Sequence, residues 1–472
     1  MSLARPVLRA DLNVKVIVAL TAVSLSAGAL AAVAPPQVAA GAVLTLVLVT
    51  AVGLRPVLGA YILLATTPLL AGLDRGLVLP LLRPHEGLAL LVGVGLLAHV
   101  ALRGAFGMPL ELRWRFGRVD RAIVLLALAG SVVPLLFMVI RDRPIAQGDV
   151  LYAMQIWKYY AVFLLIRMSV ASADQVRRCL WAALAAAAIV ALVGIMQVVG
   201  APGIGRLTSV FEPESINDPQ LDRGTSTLAS SIAVGDVMAF SLAIAAGLLF
   251  GGARHRTLLA GLAVLFVFGT VATGQFSGII ALVIALLAFG WISGRLSRTV
   301  LAFVPVAALA AVFLRPVIET RLSGFEGGST LPRSWDVRLD NVLTHFWPVL
   351  EVDLNWLTGV RPLGRIDGPS FSGIEFIWIE SGYVYLLWTG GVAFAAAFAW
   401  YAWVALRAVA RIARQRTDAI GVAAAASFTA LVVTVVLMTL DPHVTLRGSA
   451  DLSMGLLALA LTASDGPATA RE

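Results

Sequence analysis

The chain has 472 residues, 59% of them hydrophobic and only 13% charged, with a mean hydropathy of +0.91. Soluble domains are about 45–50% apolar and about 25% charged, so this composition excludes the two or three soluble domains that the length alone would allow. The formal charge of +8 and pI near 10.2 fit basic loops flanking membrane helices better than a nucleic-acid surface, and no nucleic-acid partner is expected. Cys179 is the lone cysteine, which excludes an internal disulfide and a cysteine metal cluster. Of the 35 basic residues only Lys15 and Lys158 are lysines.

The apolar residues fall in runs of 16 to 25, close to the ~20 that cross a bilayer as helix. Reading them between charges and turn formers predicts an all-α polytopic membrane protein of about fourteen spans, with 12–14 as the range. They lie near 14–34, 38–54, 56–73, 87–102, 122–140, 150–168, 179–200, 228–251, 257–273, 277–294, 299–314, 376–405, 418–440 and 450–464. The fourth and tenth are short enough to be re-entrant, and the last is the weakest. The basic start and the Pro35-Pro36 pair resemble a signal peptide, but a long start with another span directly behind it reads as an uncleaved first span.

With both termini in the cytoplasm and strict alternation, the inner loops carry 21 basic and 7 acidic residues, a balance of +14. The outer loops, with the intramembrane Lys158 and Asp236, then hold −6. The positive-inside rule supports this orientation. The whole of 1–472 is expected to form one integral membrane domain.

Roughly residues 315–375 form one large outer loop. Long loops without structure are uncommon unless functional, and this one contains a helical pattern near 332–347: Pro332 suits a first turn, and Trp335, Leu339, Val342 and Phe346 follow helical spacing. Arg338, Asn341 and His345 make a second stripe. Together with Trp335, Trp347, Trp356 and Trp378, headgroup-level residues by type, this describes an amphipathic helix on the outer leaflet. Arg315, Arg321, Arg333, Arg338, Arg361 and Arg365 are retained on the side where positive charge is disfavoured. Each alone could pair with a nearby carboxylate. As a set they point to an anionic ligand, because guanidinium groups match phosphate oxygens in bidentate geometry. A second outer segment, 201–227, places Arg223 beside small hydroxyl residues at the mouth of the eighth span, as an interfacial anchor or as part of the same site.

Two ionisable residues fall within spans, where they default to functional hypotheses. Lys158 and Asp236 lie at similar depth. The pattern leaves two readings open: they pair as structural glue, or Lys158 faces a cavity and holds a diphosphate.

Three local patterns carry a resemblance. Arg223-Gly-Thr-Ser-Thr-Leu-Ala and Thr273-Gly-Gln-Phe-Ser-Gly each precede a span, and a third pattern runs from Arg338 through Trp356-Leu-Thr-Gly359 to Glu380-Ser-Gly-Tyr383 and Gly390-Gly391. In order and sidedness these resemble the O-antigen ligase/polymerase superfamily of bacterial membrane glycosyltransferases, over roughly residues 150–460. Ligases carry a His-Asn pair where this chain has Glu380-Ser381, so the carboxylate is more similar to the polymerase or exopolysaccharide branches.

The resemblance implies a GT-C-like fold in the bacterial cytoplasmic membrane. It also implies transfer of a glycan from an undecaprenyl-diphosphate-linked donor to a sugar hydroxyl of a glycan or glycolipid acceptor, among membrane lipids. Arg338 and Arg223 would stabilise charge on the leaving diphosphate, and Glu380 would act as base toward the acceptor. Arg333, Arg321, Arg361, Arg365, Lys158 and Tyr383 would bind substrate, with His345 and His443 as alternative bases. No cofactor and no essential metal are expected, since the first outer loop, Ala34-Pro-Pro-Gln37, lacks a carboxylate. The rival reading is a multi-pass transporter or flippase for lipid-linked saccharides, which fits many spans and intramembrane charges. A non-catalytic assembly partner is a third.

Overall fold

The computed structural model describes residues 36–77, 80–108, 115–211, 223–252, 254–313, 315, 319, 333–367 and 376–462. The expected first span, 14–34, lies outside them. Each later expected span is occupied by helix. In chain order these are α1 Pro36–Leu54, α2 Val57–Leu70, α3 Pro84–Ala105, α4 Arg118–Ile140, the short α5 Gln147–Ala153, α6 Gln155–Ser169 and α7 Ala173–Val198. There follow the short α8 Ile204–Thr208, then α9 Ser231–Phe250, α10 Arg256–Ala272, α11 Phe276–Ile292 and α12 Leu296–Phe313. The large loop contributes α13 Arg333–Asn341, α14 Trp347–Glu351 and α15 Asn355–Thr358. The chain closes with α16 Gly382–Gln415, α17 Ala419–Leu437 and α18 Ser449–Leu461.

Among the described residues seven helices, α1, α3, α4, α7, α9, α16 and α17, are long and apolar enough to cross a membrane, and five shorter apolar helices pack with them. A two-stranded antiparallel ribbon, β1 Arg365–Asp367 and β2 Phe376–Trp378, sits in the large loop with Arg365 opposite Trp378. The twelfth expected span therefore begins six residues later than its apolar run: Phe376-Ile-Trp is strand, and helix starts at Gly382.

α9 lies at the centre, with almost every residue buried, whereas α1 at the edge presents most of its side chains outward. Centre and edge are equally apolar, because apolar side chains suit both a protein core and lipid. Tight crossings rely on small residues: Gly235 of α9 meets the Gly278 backbone of α11, so that a Cβ at Gly235 would stand 3.1 Å from the Gly278 Cα. Helix ends that the alternation assigns to one face do touch one another. On the face bearing the large loop, 141–149 contacts 353–361 and Arg338 contacts 440–441. On the opposite face Arg167 pairs with Asp120 and Arg295 donates to the Phe250 carbonyl.

The large loop is bolted into the bundle at a break in α16. Gly390 (φ −135°) and Gly391 (φ +64°, ψ −158°) leave helical geometry, the second in a region that in practice only glycine occupies. The break admits α15. The Val360 N–H donates to the Trp388 carbonyl at 2.6 Å and Trp388 Nε1 donates to the Leu363 carbonyl at 3.1 Å. Gly359, at φ +86°, presses so closely that a Cβ there would overlap the Thr389 carbonyl. Arg141 clamps the segment from the other side, donating to Asn355 Oδ1 (2.6 Å), Thr358 Oγ1 (2.7 Å) and the Asp353 and Gly359 carbonyls (both 3.1 Å).

The amphipathic pattern near 332–347 is realised as α13 followed by a π-helical turn, Val342–Phe346. Phe346 is fully buried, edge-on to Trp388 at 5.3 Å between ring centroids. Leu339, expected on the same stripe, is instead exposed with Leu343 and Trp347. The helix thus has an inward apolar face and an outward one, the second suited to lipid at the interface. Placing a Cβ at Gly391 requires both a glycine-only backbone and space held by the Leu357 carbonyl. Gly391→Ala is expected to lower stability by about 2–4 kcal/mol, read as a fall in the thermal midpoint of the purified protein; an unchanged midpoint would mean that α15 does not seat in the break.

Candidate functional site

The segment 223–229 is held rigidly at the loop face. Gln197 of α7 accepts from the N–H groups of Thr225 (3.1 Å) and Ser226 (3.0 Å), Ser226 Oγ donates to the Val190 carbonyl, and Thr227 Oγ1 donates to the Pro68 carbonyl. The Gly224 N–H donates to the Ala272 carbonyl at 2.9 Å, and a Cβ at Gly224 would stand 2.9 Å from the Gly194 carbonyl oxygen. The small and hydroxyl residues after Arg223 therefore serve to fix Arg223 at the mouth of α9.

Opposite stands Arg338 of α13. Its Nη1 donates to Asp441 Oδ2 at 2.7 Å and to the Leu440 carbonyl at 3.3 Å, and its Nε lies 3.7 Å from Glu380 Oε1. Burial works against the Arg338 charge, but Asp441 and Glu380 outweigh it and raise its pKa. Burial holds the Glu380 carboxyl above its ordinary range; Arg338 opposes this, Asp441 adds to it, and Arg223 is close enough to pull it down. Glu380 sits between β2 and α16, on the same side of the extended segment as Phe376 and Trp378, while Ile377 and Ile379 point into the core. The three residues assigned to chemistry, Arg338, Arg223 and Glu380, are thus brought together from segments far apart in sequence.

Behind this group His443 and Asp236, each noted singly in the sequence, form a dyad whose pairing sequence reasoning missed. His443 Nδ1 is 2.8 Å from Asp236 Oδ2, and both side chains are 98% or more buried. His443 Nε2 and Asp236 Oδ1 have no hydrogen-bond partner among the described residues. Burial disfavours the imidazolium, but the Asp236 and Asp441 carboxylates together raise the His443 pKa. The Asp441 carboxyl, buried, is itself raised although Arg338 opposes this.

The remaining expected residues fall elsewhere. Lys158 does not pair with Asp236: its Nζ lies 3.7 Å from Glu86 and 3.9 Å from Asp451, over the Tyr159 ring at 4.3 Å. Equal depth did not make the two neighbours, since they lie on helices whose charged faces meet different partners. Arg361 makes a bidentate pair with the buried Asp149 (2.9 and 2.7 Å), tying the loop to α5, and its pKa is raised chiefly by that bond. Arg365 stacks over Phe376 (4.6 Å) and Trp378 (5.8 Å). Tyr383 donates to the Val435 carbonyl at 2.8 Å. His345 is exposed, and Arg315 pairs locally with Glu319 at 2.6 Å. Arg333 opens α13, and Arg321 lies outside the described residues.

Asp441 is separated from Arg338 by 103 residues, and no local pattern links them. The partners of Lys158 were more legible, since Glu86 and Asp451 each stand at the third position of an apolar helix, where a carboxylate caps the backbone. Among the described residues no group of three or more His, Cys, Asp or Glu side chains is placed to hold a metal ion.

Fold and site together define an α-helical membrane protein with a polar, arginine-bearing site at the face of its large loop. Compared with known proteins, the chain matches no family model, no curated protein and no solved structure.

The Arg361–Asp149 pair is read here as structural. Arg361→Gln leaves a buried carboxylate without its cation and is expected to cost about 3–5 kcal/mol, part of which Asp149→Asn in the same chain recovers. A double-mutant cycle of unfolding midpoints without coupling would refute the assignment.

Proposed function

We propose that this chain is an envelope polysaccharide polymerase or ligase that moves a glycan from an undecaprenyl-diphosphate-linked donor to a sugar hydroxyl. In this reading it lies in the bacterial cytoplasmic membrane with fourteen spans and both termini inside, and works on the outer face. The observation that carries the reading is the convergence of Arg338, Arg223 and Glu380 on one mouth.

The chemistry follows from the charges. The acceptor oxygen bonds to the anomeric carbon, the bond from that carbon to the diphosphate oxygen breaks, and the electron pair leaves with the diphosphate. The acceptor proton passes to Glu380. Before reaction Arg338 is neutralised by Asp441 and Glu380. Protonating Glu380 removes one of those negative charges as the leaving diphosphate gains its own, so the negative charge beside Arg338 falls when the transition state needs a cation. Arg223 supplies a second cation. His443, held by Asp236, lies within electrostatic reach of Asp441 and so contributes to the field at this group.

Transport of lipid-linked saccharides is the second reading, favoured by the part-buried Lys158 beside the buried Glu86 and Asp451. The two separate in a transfer assay with purified protein and a lipid-linked oligosaccharide. Arg338→Gln and Glu380→Gln are each expected to lower transfer by about 10²–10³-fold; transfer that survives both, with expression matched, ends the enzyme reading.

Glu380 must be ionised to accept a proton. Because burial raises its pKa above the 4.5 of an ordinary glutamate, the rate should fall with acid at a higher pH than a free carboxylate would give. Arg338→Lys, which weakens the opposing cation, should move that limb further up. A pH–rate profile with no acid limb above the ordinary carboxylate range would assign the base elsewhere.

A further inference from the structure

A second cationic centre lies on the loop face beside the first. Arg75 and Arg83 from the α2–α3 connection, Lys158 of α6 and Arg365 of β1 gather around Tyr152 and His85. Tyr152 stands within electrostatic reach of Arg83, Arg365 and Arg75, and His85 within reach of Lys158, Asp451, Glu86 and Arg83. Three of the cations, Arg75, Arg83 and Lys158, face Glu86, Asp451 and Asp74, while Arg365 stacks over Phe376 and Trp378. Two of these carboxylates are partly committed to backbone: Glu86 accepts the Arg83 N–H and Asp451 the Gly448 N–H, both at 3.0 Å. Arg75 and Lys158 remain 3.6–3.9 Å from them, beyond hydrogen-bond length.

Donors here are left unused. The Nε atoms of Arg83 and Arg365 are buried with no hydrogen-bond partner among the described residues. His85, only 3% exposed, has neither ring nitrogen partnered. A buried unmade hydrogen bond costs about 1–3 kcal/mol, and three such side chains in one place describe a site prepared for something outside the protein. Like charges crowd as well: burial, then the neighbouring Arg75, lowers the Arg83 pKa. Trp378, 40% exposed and packed against Tyr152 at 6.0 Å, gives the centre an aromatic wall. Trp378 and Glu380 share one face of an extended segment and stand two residues apart, ~7 Å of backbone at ~3.3 Å per residue, so this segment borders both centres.

We propose that Arg75, Arg83, Lys158 and Arg365 form a second anion site, separate from Arg338 and Glu380, that takes a phosphate or diphosphate headgroup. It deepens the glycosyl-transfer reading, on which it rests for its meaning: an acceptor that is itself diphosphate-linked would stand beside the donor. The headgroup has two sources, a lipid diphosphate or a phosphodiester of the bilayer.

The test is calorimetric titration of inorganic pyrophosphate into the purified full chain, with fold checked by gel filtration and thermal midpoint. The expected result is two binding events, one removed by Arg75→Gln with Arg83→Gln and the other by Arg338→Gln. Arg83→Lys, which keeps the charge but not the fork, should weaken the first event by about tenfold and leave the other unchanged. A single event lost only in Arg338→Gln overturns the second site and leaves the transfer reading standing. A single event lost only in the Arg75/Arg83 variant supports the second site and counts against the transfer reading. Repeating the titration in nanodiscs of phosphatidylcholine, with and without phosphatidylglycerol, identifies the source. Competition by phosphatidylglycerol supports the site and assigns it to bilayer headgroups; binding unaffected by it supports the site and assigns it to diphosphate. Loss of this event in both kinds of disc supports the site and assigns it to phosphodiester headgroups in general, whereas absence of any event sensitive to Arg75→Gln with Arg83→Gln in the purified chain outside the discs overturns the proposal.

Discussion

Four carboxylates do two jobs at once, and the bundle depends on them. Glu86, Asp120, Asp149 and Asp451 each stand at the third residue of a helix and accept the backbone N–H three residues back. Each also meets a cation from another element: Lys158 for Glu86 and Asp451, Arg167 for Asp120, Arg361 for Asp149. A buried carboxylate is costly unless its oxygens are all engaged. A helix N-terminus supplies both N–H donors and the positive end of the peptide dipoles, and the cation from another helix meets the carboxylate so held, on the capping oxygen itself in Asp120 and Asp451 and on the other oxygen in Glu86. In a bundle whose apolar surfaces gain little from association within lipid, such directional contacts select the neighbours.

The loop-face centre departs from this pattern in an informative way. Glu380 caps no helix and reaches Arg338 at 3.7 Å, while Asp441 takes the shorter bond at 2.7 Å. Asp441 therefore keeps Arg338 in position whether or not Glu380 is ionised, and Glu380 retains freedom to change charge. One arginine thus has a close counter-ion and a looser one. The structural arginines, Arg141 and Arg361, have less slack: their described bonds run from 2.6 to 3.1 Å and are directed at fixed groups.

Much of this was legible in the chain, because helix positions follow from hydropathy, and Arg338 and Arg223 stand out as arginines beside otherwise apolar segments. What local pattern does not contain is rotation about helix axes and pairing over long separations. Phe376-Ile-Trp reads as the start of a span because strand and buried helix are equally apolar there; its pairing with 365–367 decides otherwise. Lys158 and Asp236 share a depth but not a facing direction. Of the arginines grouped as ligand candidates, Arg361 proved committed to Asp149, a residue with nothing in its neighbourhood to announce a partner 212 positions away. Arg75 and Arg83 went unremarked because each, taken singly, is an ordinary basic residue in a short connection.

The seating of α15 in the α16 break also bears on how the protein is made. Arg141 and Asp149 emerge from the ribosome long before Asn355 and Arg361, and the gap that receives α15 does not exist until Gly390-Gly391 has been synthesised. The early helices must wait, with a guanidinium and a carboxylate at one membrane surface still unmatched. Assembly therefore has a latching step, in which the loop segment folds back and locks helices made at opposite ends of translation.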